Sequence, residues 1–382
     1  MARDIVIPAD AGAVVIVDLD AIAENYRLIQ STCPGAEVGA AVKADAYGLG
    51  VGPVTAALSD AGCTTFFVAT PAEGTHLRKT NATAEIVVLN GPEPGNIATL
   101  LDSRLTPTLN SLPQIETWAA ASANAPMEAW LHIDTGMNRL GLGPGELEAL
   151  IAKPARLDGI RISTILSHLA CADTPDHPMN AAQRDSFTAT CELLTAITGP
   201  VRTSLANSPG VFLGSEYHFN MVRPGASLYG IRPSAERPNP MKQVVEIYTK
   251  ILQVRDVDTP MTVGYGAAHQ VTGTRRIATL AAGYADGYPR AAGNTAGHTE
   301  GKSMCAFIDG QPAPLAGRIS MDLITIDVTD LPAALCRPGQ TVELLGPNVT
   351  PDDLADAAGT IAYEVLSRLG PRLQVEYRGG TN

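Results

Sequence analysis

The sequence predicts an α/β protein: an N-terminal (β/α)8 TIM barrel followed by a mostly antiparallel β domain. Three observations carry this prediction. Eight short apolar runs, at 38–42, 65–69, 86–89, 105–109, 128–133, 160–167, 201–205 and 219–222, alternate with helical patterns, and parallel strands buried on both faces read as such continuous runs. Together with their helices they occupy about 240 residues, the length expected of eight βα units closed into a barrel. Beyond Lys242 the helical patterns give way to short alternating runs punctuated by glycine and proline, the texture of antiparallel strands joined by tight turns.

In chain order, a turn over 8–12 leads into a strand at 13–17 and an amphipathic helix at 18–30, with Asp18 or Asp20 as its cap, since a carboxylate there accepts the first unpaired helical amides. Helical patterns at 51–61, 71–79, 112–121, 145–152 and 180–198 fall between barrel strands. In the β domain, 244–254, 276–281, 304–308, 323–328 and 341–345 read as strands, and 351–359 as one helix with Thr350 as N-cap and Pro351 at its first position. The expected division is an N-terminal strand within 1–12 packing with the C-terminal domain, the barrel over 13–241, and the β domain over 242–382.

At 382 residues the chain is long enough for two full cores, and 45% hydrophobic with 17% charged residues is an ordinary globular composition. A net charge of -12 argues against nucleic acid or an anionic membrane as partner, because phosphate surfaces require a basic field. The N-terminus MARDIVIPAD lacks the basic segment and long apolar core of a signal peptide, so a cytoplasmic location is expected. Cys33, Cys63, Cys171, Cys191, Cys305 and Cys336 are scattered without a CxxC pair. They read as free thiols, and no metal is expected.

In a barrel the C-terminal ends of the strands share one mouth, so groups distant in sequence converge there. Lys43 ends the first run, in Val42-Lys43-Ala44-Asp45-Ala46-Tyr47-Gly48; His132 lies in the fifth, ahead of Asp134-Thr135-Gly136-Met137-Asn138-Arg139; His168 follows the sixth, Asn207-Ser208 the seventh, and Arg223-Pro224-Gly225-Ala226 the eighth. A half-buried lysine loses its proton readily, and the neutral amine condenses with aldehydes. Each residue alone has a plainer explanation, as a cap or a solvated side chain. Together they form a constellation. The last two loops of such barrels commonly hold a phosphate, and Asn207-Ser208 and Gly225-Ala226 suit that role. In the β domain, tyrosines between glycines, at Gly264-Tyr265-Gly266 and Gly283-Tyr284-Ala285, are on their own as well explained as hairpin residues.

The lysine stretch resembles the pyridoxal-phosphate motif of the alanine racemase family, and the resemblance runs through most of the chain. It implies a pyridoxal 5'-phosphate enzyme that interconverts L- and D-alanine with two bases, Lys43 on one face of the α-carbon and Tyr265 on the other. The family pattern places Tyr47, Ser208, Gly225, Ala226 and Tyr363 around the cofactor phosphate, Arg223 at the pyridine nitrogen, and His168 bonded between Tyr265 and Arg223. It assigns Arg139, Tyr284 and Met321 to the substrate. It also implies a head-to-tail homodimer in which Tyr265 reaches the partner's lysine, with D-alanine supplied to peptidoglycan. Two positions depart from the pattern. His132 stands where many members have a lysine, often carbamylated, so either the histidine stays neutral or a bound anion fills the place; Leu49 replaces the histidine of a Gly-His-Gly turn. The competing readings are a serine or broader-specificity racemase, a non-enzymatic pyridoxal-phosphate carrier, and a decarboxylase of the same cofactor class.

Overall fold

A computed structural model describes residues 5–122, 125–293 and 304–380. These described residues divide into two compact units, one lying within 22–242 with residue 380 and the other within 5–21 and 243–379.

In the unit of residues 22–242, nine parallel strand segments follow one another around a barrel. They amount to eight strands, because the first is split. Glu37–Val38 pairs with Met221–Val222, the last strand, while Ala40–Ala41 pairs with Thr65–Val68, the second. The run expected at 38–42 therefore serves as both ends of the ring. Gly39 lies at the break, with its amide donating to Val222 O at 3.0 Å. A Cβ there would stand 2.6 Å from Phe67 Cε2, so only glycine lets the two halves turn without moving a core ring.

The other strands lie where the apolar runs put them: Glu85–Val88, Thr106–Leu109, Met127–His132, Ile160–Leu166 and Arg202–Ser204. The eighth is shorter than expected, because Phe219 takes a left-handed φ of 52° that no strand accommodates. Inside the ring, Ala41, Phe67, Val87, Trp130, Leu166 and Met221 form a buried cluster, with the Phe67 ring edge-on to Trp130 at 5.4 Å between centroids. The strands' N-terminal ends are closed by charge. Arg202 pairs with Glu37 at 2.9 Å and Glu85 at 3.1 Å while lying over the Trp130 ring, whose Nε1 donates to Glu85. That plug leaves the C-terminal ends as the end open to chemistry.

The helices Val51–Asp60, Pro71–Thr80, Leu112–Ala121, Pro144–Ala152 and Pro178–Thr198 alternate with the strands. Helix Ile97–Asp102 was not expected, and no side chain caps its first turn. Asp18 caps the helix Leu19–Thr32 by accepting the Ala21 amide at 2.8 Å.

The other unit is a mostly antiparallel sheet built around the long strand Val245–Val257, which pairs with Ala13–Asp18, Arg275–Leu280 and Thr341–Leu345. The barrel expected from residue 13 needs correction. Ala13–Asp18 pairs on one side with Val245–Val257 and on the other, in parallel, with Gln374–Arg378, so both its edges are used in this sheet. Nor does a strand lie at 5–12, where Ala11 N instead closes a turn onto Pro8 O at 3.1 Å. Cys305–Ile308 and Ile324–Asp327 match expected runs. The helix Pro351–Ala358 begins at Thr350, whose hydroxyl accepts from Asp353 N while the Asp353 carboxylate accepts from Thr350 N. Among the described residues no helix is long and apolar enough to cross a membrane.

Candidate active site

Each functional group at the barrel mouth is set by the residue where its strand stops. Lys43 follows Ala40–Ala41 and opens a turn in which Ala44, Asp45, Ala46 and Tyr47 all have left-handed φ between 53° and 59°. Four L-residues in this conformation cost ~1–2 kcal/mol each, so the surroundings must hold them. They do so through two carboxylates. Glu73 Oε1 accepts the Ala44 amide at 2.9 Å while Oε2 accepts Ala69 N at 2.7 Å, and Asp45 Oδ1 accepts Val51 N at 2.7 Å. Leu49 is fully buried beneath the turn, the packing role its departure from the family pattern suggested.

Glycine at position 44 should raise stability by up to about 1.6 kcal/mol. It relieves ~1–2 kcal/mol of strain and gives back ~0.4–1 kcal/mol in unfolded-chain entropy, and the Ala44 methyl is exposed. The thermal midpoint of Ala44→Gly checks this, and a fall would mean that the turn is not strained.

The Lys43 amine is half-buried, and desolvation with the nearby Arg139 guanidinium lowers its proton affinity against the opposing pull of Glu73. Arg139 is exposed at the end of a loop shaped by Asp134, whose Oδ1 accepts Gly136 N and Met137 N, both at 2.9 Å. Arg223 is buried. Its guanidinium donates to Ser204 Oγ and Ser167 O, both at 2.5 Å, and meets no carboxylate among the described residues. Burial pushes it down to about 10, so it remains a cation at neutral pH.

His168 is half-buried, and desolvation with the Arg223 and Arg139 charges holds it well below the usual imidazole range. The bond expected from Arg223 to His168 is not formed. Arg223 gives Nη1 to Ser204 and Nη2 to Ser167 and Leu205, keeping its Nε–H unengaged by these bonds, and His168 Nε2 instead faces Asn207 Nδ2 at 3.4 Å.

The two loops expected to hold a phosphate come together. Ser208 Oγ accepts Gly225 N at 2.8 Å and Ser227 N at 3.2 Å. Both lone pairs of that buried hydroxyl are then taken, and its proton is left for an acceptor. Gly225 was expected to offer its amide to the phosphate, but that amide is engaged by Ser208; Ala226 starts the short helix Ala226–Tyr229 beside it. A Cβ on Gly225 would fall 2.5 Å from the Tyr47 hydroxyl, so glycine keeps open the space that hydroxyl reaches into. Behind it Tyr229 packs on Tyr47 with centroids 4.7 Å apart and donates to Ala41 O at 3.0 Å. Ser227 Oγ is buried with no partner among the described residues. A donor hydroxyl, an unspent buried hydroxyl and a tyrosine hydroxyl seated against a glycine, beside a lysine of lowered proton affinity, fit a phosphorylated aldehyde.

The sequence reading missed Glu73, Asn110 and Ser227. Glu73 was detectable: Thr70-Pro-Ala-Glu73 is a capping box, formed here, although its second duty at Ala44 had no signal.

The other residues that the family pattern singles out lie in the other unit. Tyr265 stands at the tip of the ribbon Thr262–Val263 and His269–Gln270, 70% exposed between Gly264 and Gly266, both at positive φ. The ribbon rests on the 317–318 segment, where a Cβ on Gly317 would meet Val263 O at 2.8 Å. Tyr284 and Met321, also exposed, are brought together, with Tyr284 N donating to Ser320 O at 3.0 Å and Ala285 N to Met321 O at 2.9 Å. Asp286 and Asp322 are tied by Arg372. Tyr363 lies in the helix Ala362–Ser367. No group of three potential metal ligands occurs among the described residues.

Known proteins resemble the chain over nearly its whole length. The family model described as "Alanine racemase, N-terminal domain" matches residues 17–233, and "Alanine racemase, C-terminal domain" matches 244–377. A protein named alanine racemase from Rhodospirillum rubrum is 48% identical over 97% of this chain and 96% of its own length. One named alanine racemase, catabolic, from Mesorhizobium japonicum is 44% identical over 97% and 95%. Among solved structures, the alanine racemase from Bartonella henselae with covalently bound pyridoxal phosphate superimposes with a TM-score of 0.89 at 36% identity, covering 96% of this chain and all of the other.

Proposed function

This chain belongs to the alanine racemase family, and from that premise we propose that it is a pyridoxal 5'-phosphate-dependent isomerase interconverting L- and D-alanine. The observation that carries the proposal is the Lys43 amine, of lowered proton affinity, at the end of the first barrel strand beside the group formed by Ser208, Gly225 and Tyr47.

Bound there, the cofactor supplies the electron withdrawal that makes the α-hydrogen of an amino acid acidic. Ser208 donates its remaining proton to the phosphate, with Tyr47, Ala226 and Tyr363 completing that shell. Arg223, which keeps its charge at neutral pH, donates a hydrogen bond at the pyridine nitrogen without surrendering a proton. That restraint favours proton exchange over transamination or decarboxylation. Arg139 holds the substrate carboxylate. Lys43 removes or returns the α-proton on one face and Tyr265 on the other, and bases on opposite faces are what inversion requires. Tyr284 and Met321 narrow the pocket to alanine.

The exposure of Tyr265, Tyr284 and Met321 supports a head-to-tail homodimer in which they complete the partner's site. The second domain separates this reading from a non-enzymatic carrier, and pocket size separates it from a serine or broader-specificity racemase. A cytoplasmic supply of D-alanine for peptidoglycan is the accompanying physiological proposal. Racemisation of L-alanine in preference to L-serine by the purified protein tests the activity, and growth of a D-alanine auxotroph carrying the gene tests the physiology. Visible cofactor absorbance without turnover would leave only the carrier.

A further inference from the structure

Tyr284 and Met321 sit on two short segments of the β domain that meet backbone to backbone. Tyr284 N donates to Ser320 O and Ala285 N to Met321 O, and the approach is so close that a Cβ on Gly283 would collide with both of those carbonyl oxygens. The first segment is shaped by Asp286. Its Oδ2 accepts Gly283 N at 2.8 Å, closing the short turn Tyr284–Asp286, and its carbonyl accepts Gly370 N at 3.0 Å. From Gly370 the chain delivers Arg372, just ahead of the strand Gln374–Arg378, which is paired into the sheet along Ala13–Asp18.

Arg372 spans both segments with one guanidinium. Its Nε and Nη2 grip the Asp286 carboxylate at 3.0 and 2.9 Å, and its Nη1 donates at 2.6 Å to Oδ1 of Asp322, the residue after Met321. A rigid planar fork fixes the spacing of the two carboxylates it joins, which a single-point cation could not do. The two arms differ in burial. The Asp286 side chain is 10% exposed and meets no other cation among the described residues, whereas that of Asp322 is 58% exposed. The first arm therefore supports the turn itself, and the second is a solvent-screened latch whose loss spares folding. Without the guanidinium, the two carboxylates it joins would repel each other across the contact that carries Tyr284 and Met321.

We propose that Arg372 is a positioning residue for the substrate pocket, a clasp that holds Tyr284 and Met321 at one spacing by joining Asp286 to Asp322. It acts through those two side chains. Its role in specificity rests on the proposed racemase reading, in which they narrow the pocket to alanine; the clasp itself stands on the three bonds. A pocket wall anchored through a guanidinium to the sheet resists moving outward to admit a longer side chain, and one methylene is worth ~10–200-fold in such a pocket.

Amide hydrogen exchange and substrate discrimination test the two parts. In Asp322→Asn and in Arg372→Met the Tyr284 and Ala285 amides should exchange about tenfold faster, while the amides of the strand Arg275–Leu280 keep their wild-type rates. The ratio of kcat/KM for L-alanine to that for L-2-aminobutyrate, one methylene longer, should fall about threefold in Asp322→Asn and about tenfold in Arg372→Met. The change should come through KM more than kcat, with cofactor absorbance retained. Arg372→Lys, whose ammonium reaches one carboxylate at a time, should fall between wild type and Arg372→Met. If Arg372→Met does not fold, Asp322→Asn decides alone. Unchanged exchange at Tyr284 and Ala285, or faster exchange there with discrimination unchanged, would overturn the inference. A wild type that racemises neither amino acid would remove the racemase reading, and the exchange rates would still decide the clasp.

Discussion

Lys43→Ala will remove the visible absorbance of covalently held pyridoxal phosphate and lower racemisation of L-alanine by on the order of 10³-fold or more. The residue has two duties, as the point of attachment and as a proton-transfer group, and a positioned base alone is worth ~10²–10⁴-fold. The amine is prepared for both. Desolvation and Arg139 lower its proton affinity, while Glu73 moderates the effect and holds the backbone of the next residue. Absorbance spectroscopy after pyridoxal-phosphate addition and a chiral assay of product alanine read the two duties separately. Added methylamine should restore part of the rate without restoring attachment to the protein. Retention of wild-type turnover in Lys43→Ala would exclude this lysine from the chemistry.

Mixing inactive subunits gives the second large effect. Tyr265→Phe removes the hydroxyl from the other face and should lower turnover at least ~10²-fold, leaving cofactor absorbance intact. If each site combines Lys43 of one subunit with Tyr265 of another, a dimer of one Lys43→Ala and one Tyr265→Phe chain holds one wild-type site and one doubly defective site. Subunits reassorted at equal concentration should then recover about one quarter of the wild-type rate, since about half of the dimers are mixed and half of their sites intact. Sites built within one chain would recover nothing. The experiment suits Tyr265 because it is 70% exposed on a two-stranded ribbon, so its loss should leave folding untouched.

Much of the barrel was legible because its strands are covered on both faces. Runs such as 65–69 and 86–89 have no polar alternation to confuse them, and they stand within a residue or so of the observed strands. The break at Gly39 was hidden for the same reason, since a glycine inside an apolar run leaves no polar mark. Residues 13–18 were assigned to the wrong unit because an apolar strand does not state its partner; two long-range pairings decide it.

At the site, residue types at strand ends identified Lys43, His132, His168, Ser208 and Arg223 as neighbours of one mouth. The supporting hydrogen bonds were not visible. Asn110 looks like any strand-terminating asparagine until its amide is traced to three carbonyl oxygens and an imidazole. The left-handed turn after Lys43 was equally hidden, since Ala, Asp and Tyr rarely adopt it and the carboxylate that holds Ala44 is 29 residues away.

The divided first strand also sets an order of events during synthesis. Glu37 must wait for Met221, ~180 residues later, before its side of the ring is satisfied. Throughout that interval a nascent chain on the ribosome carries an open seam at 37–38, and intermediates with such unpaired edges are the ones that aggregate. Slowing translation before residue 221, or titrating away chaperones, should therefore trap this protein more readily than similar pauses placed after it.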